Sequence, residues 1–206
     1  MLENKTYIKS YCTIQNNQIN LNSNPIFELE SSISFQDFSK QAYQKFNFNY
    51  PKFFKMDNLS KLAFLAAELI LKPEINETTE NNIALVFTNK SSSLDTDIKY
   101  QESISNPRSY FPSPAIFVYT LPNICIGEIS IKNQLKSENS FFIFDNFNPH
   151  FIQQYVNLLI TTKKAEKVVA GWVEFNNNQY KVFLYLIDII GEIEHTQENL
   201  KTLYNK

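Results

Sequence analysis

Apolar positions along this chain follow two rhythms, period two and period 3.6, separated by short polar runs. Residues 7–14 read as a first strand, ended by Gln15-Asn16-Asn17-Gln18. Phe35, Phe38, Ala42 and Phe46 recur at helical spacing. The clearest helix follows Asp57, a good cap; Leu59, Leu62, Ala63, Ala66, Leu69 and Ile70 form one apolar stripe, and Pro73 bounds it. Residues 83–88 are short, apolar and β-branched at their start, as a buried strand is. Residues 91–114 read as a loop punctuated by Asn106-Pro107 and Pro112-Ser113-Pro114. Residues 116–119 are apolar between prolines, and strand and short helix fit them equally. A short helix over 127–135 leads to a strand over 140–144. Asn148 and Pro149 then open a helix with Phe151, Ile152, Tyr155, Val156 and Leu159 on one side. Residues 168–172 and 181–190 form two strands joined through Asn176-Asn177-Asn178, and a last helix after Gly191 carries Leu200, Leu203 and Tyr204. Alternation of this kind predicts an α/β fold, a five-stranded mixed sheet with helices on both faces, in a single domain over 1–206.

Composition narrows the function more by exclusion than by assignment. The net charge of −2, with no basic run interleaved with aromatics, gives no reason to expect nucleic acid as partner. Residues 1–10 have no apolar core, so no secretory signal is expected, and no run approaches the roughly 18 apolar residues of a membrane span. Cys12 and Cys125 lie in apolar surroundings and are expected to be free buried thiols in a reducing cytoplasm. The triplets at Asn58, Asn76 and Asn89 are therefore read as chance matches to the glycosylation pattern. With only three glycines, at 127, 171 and 191, the chain lacks the backbone freedom of a phosphate-cradling loop, and no cofactor is expected. The abundant asparagines are read as compositional bias.

The polar constellations are sparse. Asp95 and Asp97 straddle Thr96 but have no third ligand at suitable spacing, so a solvated loop is expected and no metal. Ser91-Ser92-Ser93 reads as a turn. His150 and His195 are expected to be polar surface or satisfied core groups. Asp145 is expected to support the turn it lies in.

Four segments carry a resemblance. They are the run from Lys55 to Ala63, Leu121-Pro122-Asn123 with Gly127-Glu128-Ile129-Ser130-Ile131, the strand and turn from Lys136 to Asn146, and Ala170-Gly171 with Glu174. Together they resemble the N-terminal half of β-ketoacyl-acyl carrier protein synthases, over roughly residues 50–188. That resemblance implies a thiolase-like half fold. In the family the turn before the helix carries the nucleophilic cysteine, seven residues after an asparagine matching Asn139; here the position holds Asn146. The family's Ala-Gly-Gly-x-Glu is echoed with Trp172 in place of the second glycine, and three asparagines replace most of a long insertion. Residues 1–50 resemble nothing in the family.

The resemblance implies no catalytic residue, because Asn146 supplies no thiolate and the two histidines of the family's second half are missing. It implies a chain-length-factor-type subunit, partnered with a full-length ketosynthase or with itself, in fatty-acid or polyketide synthesis such as aryl polyene or flexirubin-type pathways. Contact with acyl carrier protein would then be indirect. Ser140, Phe141, Phe142, Ile143 and Phe144 match the strand on the family's dimer axis and are expected at an interface; Phe142 and Phe144 share one face by period two. Ile116, Phe117 and Tyr119 match a segment near the acyl tunnel of the opposite subunit. Two other readings stand beside this one. The first is a stand-alone dimeric scaffold; the second is an enzyme with chemistry rebuilt around His150 and Asp145.

Overall fold

The computed structural model describes residues 5–206 apart from Glu77 and Ser109. The triplet at Asn76 and the stretch 91–114 each include one of these two, and residues 1–4 of the polar start also lie outside.

A single mixed sheet organises the described residues. In chain order its strands are β1 (Tyr7–Gln15), β2 (Gln18–Leu21), β3 (Asn24–Glu28), β4 (Ile83–Asn89), β5 (Asn139–Ile143), β6 (Lys167–Asn176), β7 (Gln179–Asp188) and β8 (Ile193–Glu194). Their spatial order is β3-β2-β1-β7-β6-β4-β5, with β8 pairing the start of β1. Only β4 has parallel neighbours, β5 and β6; every other pairing is antiparallel. The sheet thus has eight strands, not the expected five. The additions are β2, β3 and β8, which are too short to carry a periodic signal of their own.

Asparagine explains how a glycine-poor chain makes these hairpins. The two-residue loops Asn16-Asn17, Asn22-Ser23 and Asn177-Asn178 all adopt positive φ, between 50° and 66°. Both central residues of the favoured hairpin turn must be left-handed, and after glycine asparagine tolerates this best. Those asparagines are therefore turn residues and not compositional bias. Asn17 is locked further: its amide and carboxamide both bond the Tyr180 hydroxyl, and its Nδ2 donates to Glu30 and Ile33 carbonyls.

Helices α1 (Phe35–Lys45), α2 (Asn58–Leu71) and α5 (Ile124–Asn133) cover one face of the sheet; α6 (Pro149–Thr161) and α7 (Gln197–Tyr204) cover the other. Strand alternation feeds the two cores separately: Leu85 and Phe87 join the first, Ala84 and Val86 the second. Asp57 caps α2 by accepting from the Ser60 amide at 3.0 Å, and Asn148 caps α6 by accepting from Phe151 at 3.0 Å, as the sequence predicts. Residues 91–114 are not wholly loop. They contain α3 (Leu94–Ile104), so Asp95 and Asp97 occupy a helical first turn, where a carboxylate complements the helix dipole. Residues 116–119 resolve as α4 (Pro114–Phe117) followed by a tight turn over Val118–Thr120.

Gly171 sits at the centre of the sheet with φ +144°, and a Cβ there would lie 1.9 Å from the Phe183 carbonyl oxygen. No other residue fits this position.

Candidate functional site

The turn between β5 and α6 is the place to look for chemistry, since β5 runs parallel to β4 and delivers its C-terminal end to a helix N-terminus. Phe144 donates its amide to the Asn89 carbonyl at 2.9 Å, which pins the turn to the end of β4. Asn146 is exposed and lines two clefts. One, of about 400 Å³, also holds Asp145, Asn148, His150, Gln197 and Lys201. The other, of about 470 Å³, holds Lys90, Asp145, Trp172, Glu174, Lys181 and Tyr204.

Among the described residues neither cleft joins a histidine or cysteine to an acid by a hydrogen bond. His150 and Asp145 share the first, yet the His150 ring bonds the Gln197 carboxamide at 2.9 Å, and no further acid lines that cleft. His195 lines neither: it is buried, with its ring nitrogens 3.3 Å from the Thr6 hydroxyl and 3.4 Å from that of Tyr185. Burial pulls its pKa down to about 4, so it stays neutral. Cys12 and Cys125 are free and buried, and desolvation pushes both thiols well up, which leaves neither as a nucleophile. Among the described residues no group of three or more His, Cys, Asp or Glu is placed to hold a metal.

Trp172 changes the space beside Asn146. Its ring meets Phe147 and Tyr204 edge-on at 6.4 Å each, while Phe147 and Tyr204 stack at 4.4 Å. Aromatic rings thus pack where the family pattern has a glycine. Glu174 keeps a structural task, accepting from the Lys90 and Ser91 amides at 2.7 and 3.2 Å through Oε2. Its Oε1 is buried without a partner among the described residues.

The interface candidates lie on an edge. β5 pairs only with β4 among the described residues, so its outer backbone edge is open. Phe142 and Phe144 share a face and pack on Phe151 and Tyr155 of α6, at 4.8 to 5.2 Å. Phe141 packs into the opposite core, Ser140 bonds the Tyr155 hydroxyl at 3.0 Å, and Ile143 remains exposed.

The tunnel candidates divide. Ile116 and Tyr119 line a cavity of about 240 Å³ with Lys55, Met56, Asp57 and Asn58. Tyr119 is buried and donates to Glu128 at 3.0 Å; Tyr50 donates to the other oxygen, and the Lys52 ammonium lies 2.8 Å away. Burial, and then the Glu128 carboxyl beside them, push both phenols up. Phe117 instead lies on the surface, 57% exposed, against Tyr100 at 5.2 Å. Between residues 94 and 121 the large apolar side chains of Leu94, Ile98, Tyr110, Phe111, Val118 and Leu121 are exposed as well, which the sequence did not signal. Periodicity could not find them, because they are spread over α3, α4 and the irregular segments that follow each helix.

No family model matches the sequence, and no curated protein matches it. Solved structures do. The chain superposes on the ishigamide ketosynthase/chain length factor with a TM-score of 0.61 at 13% identity, over 89% of this chain and 62% of that one. The fold is that of the ketosynthases. A complex of the ketosynthase ApeO with its chain length factor ApeC from Xenorhabdus doucetiae matches 98% of this chain and 90% of that chain, at 12% identity and a TM-score of 0.59. The ketosynthase–acyl carrier protein complex AntDE:AntF matches with 12% identity and a TM-score of 0.56, over 89% and 63%. The chain therefore spans about three fifths of the ishigamide and AntDE chains it matches, and nearly all of the one in the ApeO–ApeC complex. The match to the ApeO–ApeC complex takes in most of the described residues before position 50 as well. No single helix among the described residues is long and apolar enough to cross a membrane.

Proposed function

We propose that this chain is a non-catalytic, chain-length-factor-type partner of a ketosynthase in fatty-acid or polyketide synthesis. The observation that carries the reading is the group of exposed apolar side chains over residues 94–121, together with the open edge of β5. Apolar surface so concentrated marks a protein–protein contact, and an unpaired strand edge invites a strand from a partner. Asn146 supports the non-catalytic part, since no group at the nucleophile position can carry an acyl thioester. On this reading exposed Phe117 would reach a partner's acyl tunnel, and Ile116 and Tyr119 would shape the cavity they line. Similarity to a ketosynthase–chain length factor complex over nearly the whole chain points the same way.

Co-expression with a ketosynthase from the same genome tests the reading. A stable heterodimer of this kind buries more than about 2,000 Å². Ile143→Lys is the informative variant because that side chain is exposed, whereas Phe142 is half-buried under α6 and its loss would damage the fold as well. The expected result is co-purification that Ile143→Lys and Phe111→Ser each weaken, with no acyl adduct on this chain after incubation with an acyl-carrier thioester. A chain that stays alone, or forms a homodimer indifferent to both substitutions, overturns the proposal.

A further inference from the structure

Lys61 differs from the other half-buried lysines among the described residues. Four lysines are partly buried by the fold: Lys61, Lys132, Lys167 and Lys181. Lys132 lies 3.6 Å from Glu68, Lys167 reaches both Glu74 and Asp188, and Lys181 rests 3.9 Å above the Tyr204 ring. Lys61 alone makes no ion pair, hydrogen bond or ring contact among the described residues. The carboxylate one turn earlier, Asp57, is engaged by the Ser60 amide and the Thr96 hydroxyl. Burial lowers the Lys61 pKa, and the Lys99 ammonium adds to this, while the Asp57 carboxylate offsets only part of it. An unpaired, partly desolvated ammonium is unfavourable unless something complements it.

The cleft that Lys61 faces supplies the rest. It encloses about 600 Å³ where the β1–β2 turn, the β6–β7 turn and the starts of α1 and α2 converge. Two ammoniums line it, Lys61 and Lys99, and no carboxylate does. Lys99 is bonded to Asp95 at 2.5 Å, and Asp37 accepts from Ser34, but neither acid reaches the lining. Asn16 and Asn178 present carboxamides without hydrogen bonds among the described residues, and the cap and first turn of α1 add the positive end of that helix.

We propose that this cleft binds a small ligand through an oxyanion, a carboxylate or phosphate group that neutralises Lys61 and Lys99 and is hydrogen-bonded by the carboxamides of Asn16 and Asn178. The site is separate from the Asn146 turn and does not rest on the ketosynthase reading. A bound oxyanion replaces the lost hydration of Lys61 with a charge-assisted hydrogen bond, which makes Lys61 the residue on which affinity turns.

Isotope-labelled full-length chain, titrated at constant ionic strength with pyrophosphate, inorganic phosphate and succinate, tests the site. Saturable amide shifts at Asn16, Phe35, Gln36 and Asn178 are expected, with affinity falling at least about tenfold in Lys61→Gln. Lys61→Met repeats the test with the apolar stem kept, and Lys40→Gln, on the exposed side of α1, should bind as wild type. Binding by the phosphates alone assigns a phosphate ester, and binding by succinate alone a carboxylic acid. Shifts that never saturate, or that persist unchanged in both Lys61 variants, overturn the proposal.

Discussion

His195 shows how burial alone decides a residue's behaviour. It lies in the outer core with only two hydroxyls in reach, and its pKa falls from 6.5 to about 4. The unfolded chain therefore takes up a proton that the folded chain refuses. Stability is complete above about pH 6.5 and declines as pH falls toward 4, by about 3 kcal/mol in all, then stays level with respect to this group. Urea unfolding of wild type and His195→Gln between pH 7.5 and 4 should give curves that converge on acidification, because the variant lacks this titration; parallel curves would refute the assignment. At the same scale Asn146 and Trp172 act together. The first presents a carboxamide at the turn between β5 and α6, and the second, with Phe147 and Tyr204, fills the adjoining space with rings.

Elements in this fold are set by their ends. Asn177-Asn178 turns the chain between β6 and β7, with φ of 50° and 59°. A β-branched residue is poorly tolerated in that region, so Asn178→Val should lower stability by about 1–2 kcal/mol while Asn178→Gly raises it slightly; thermal unfolding distinguishes them, and equal midpoints would mean the turn relaxes elsewhere. The same physics decides what was legible in the sequence. Helices α2 and α6 were, since Asp57 and Asn148 with Pro149 mark their starts and apolar stripes mark their lengths. Strands β2 and β3 were not: four and five residues carry little periodicity, and their Asn-rich turns mimic a polar loop. Helix α3 was hidden because its outer face mixes exposed Leu94 and Ile98 with charges, so no clean stripe forms. At the candidate site, the Asn146 position and the β5 edge were legible from sequence. The cleft around Lys61 was not, because its lining comes from five separate segments.

At the scale of the molecule, two cores share one sheet, and the sheet is stitched between distant parts of the chain. β1 and β7 pair over nearly their whole lengths, from Tyr7↔Asp188 to Gln15↔Lys181. A ribosome, however, releases the chain from one end only. The β1–β3 meander emerges first, yet β1 has no β7 to pair with until almost everything else has been made. Until then its apolar side chains, Ile8 and Tyr11 for one core and Cys12 and Ile14 for the other, are available to proteases and to other nascent chains. Chains stalled after Asn176 on a flexible extension should be cut readily within residues 7–28, and chains stalled beyond Tyr204 should resist. Equal resistance in both would mean that the meander folds on its own. If it does not, birth order makes β1 wait for β7 before it finds its place.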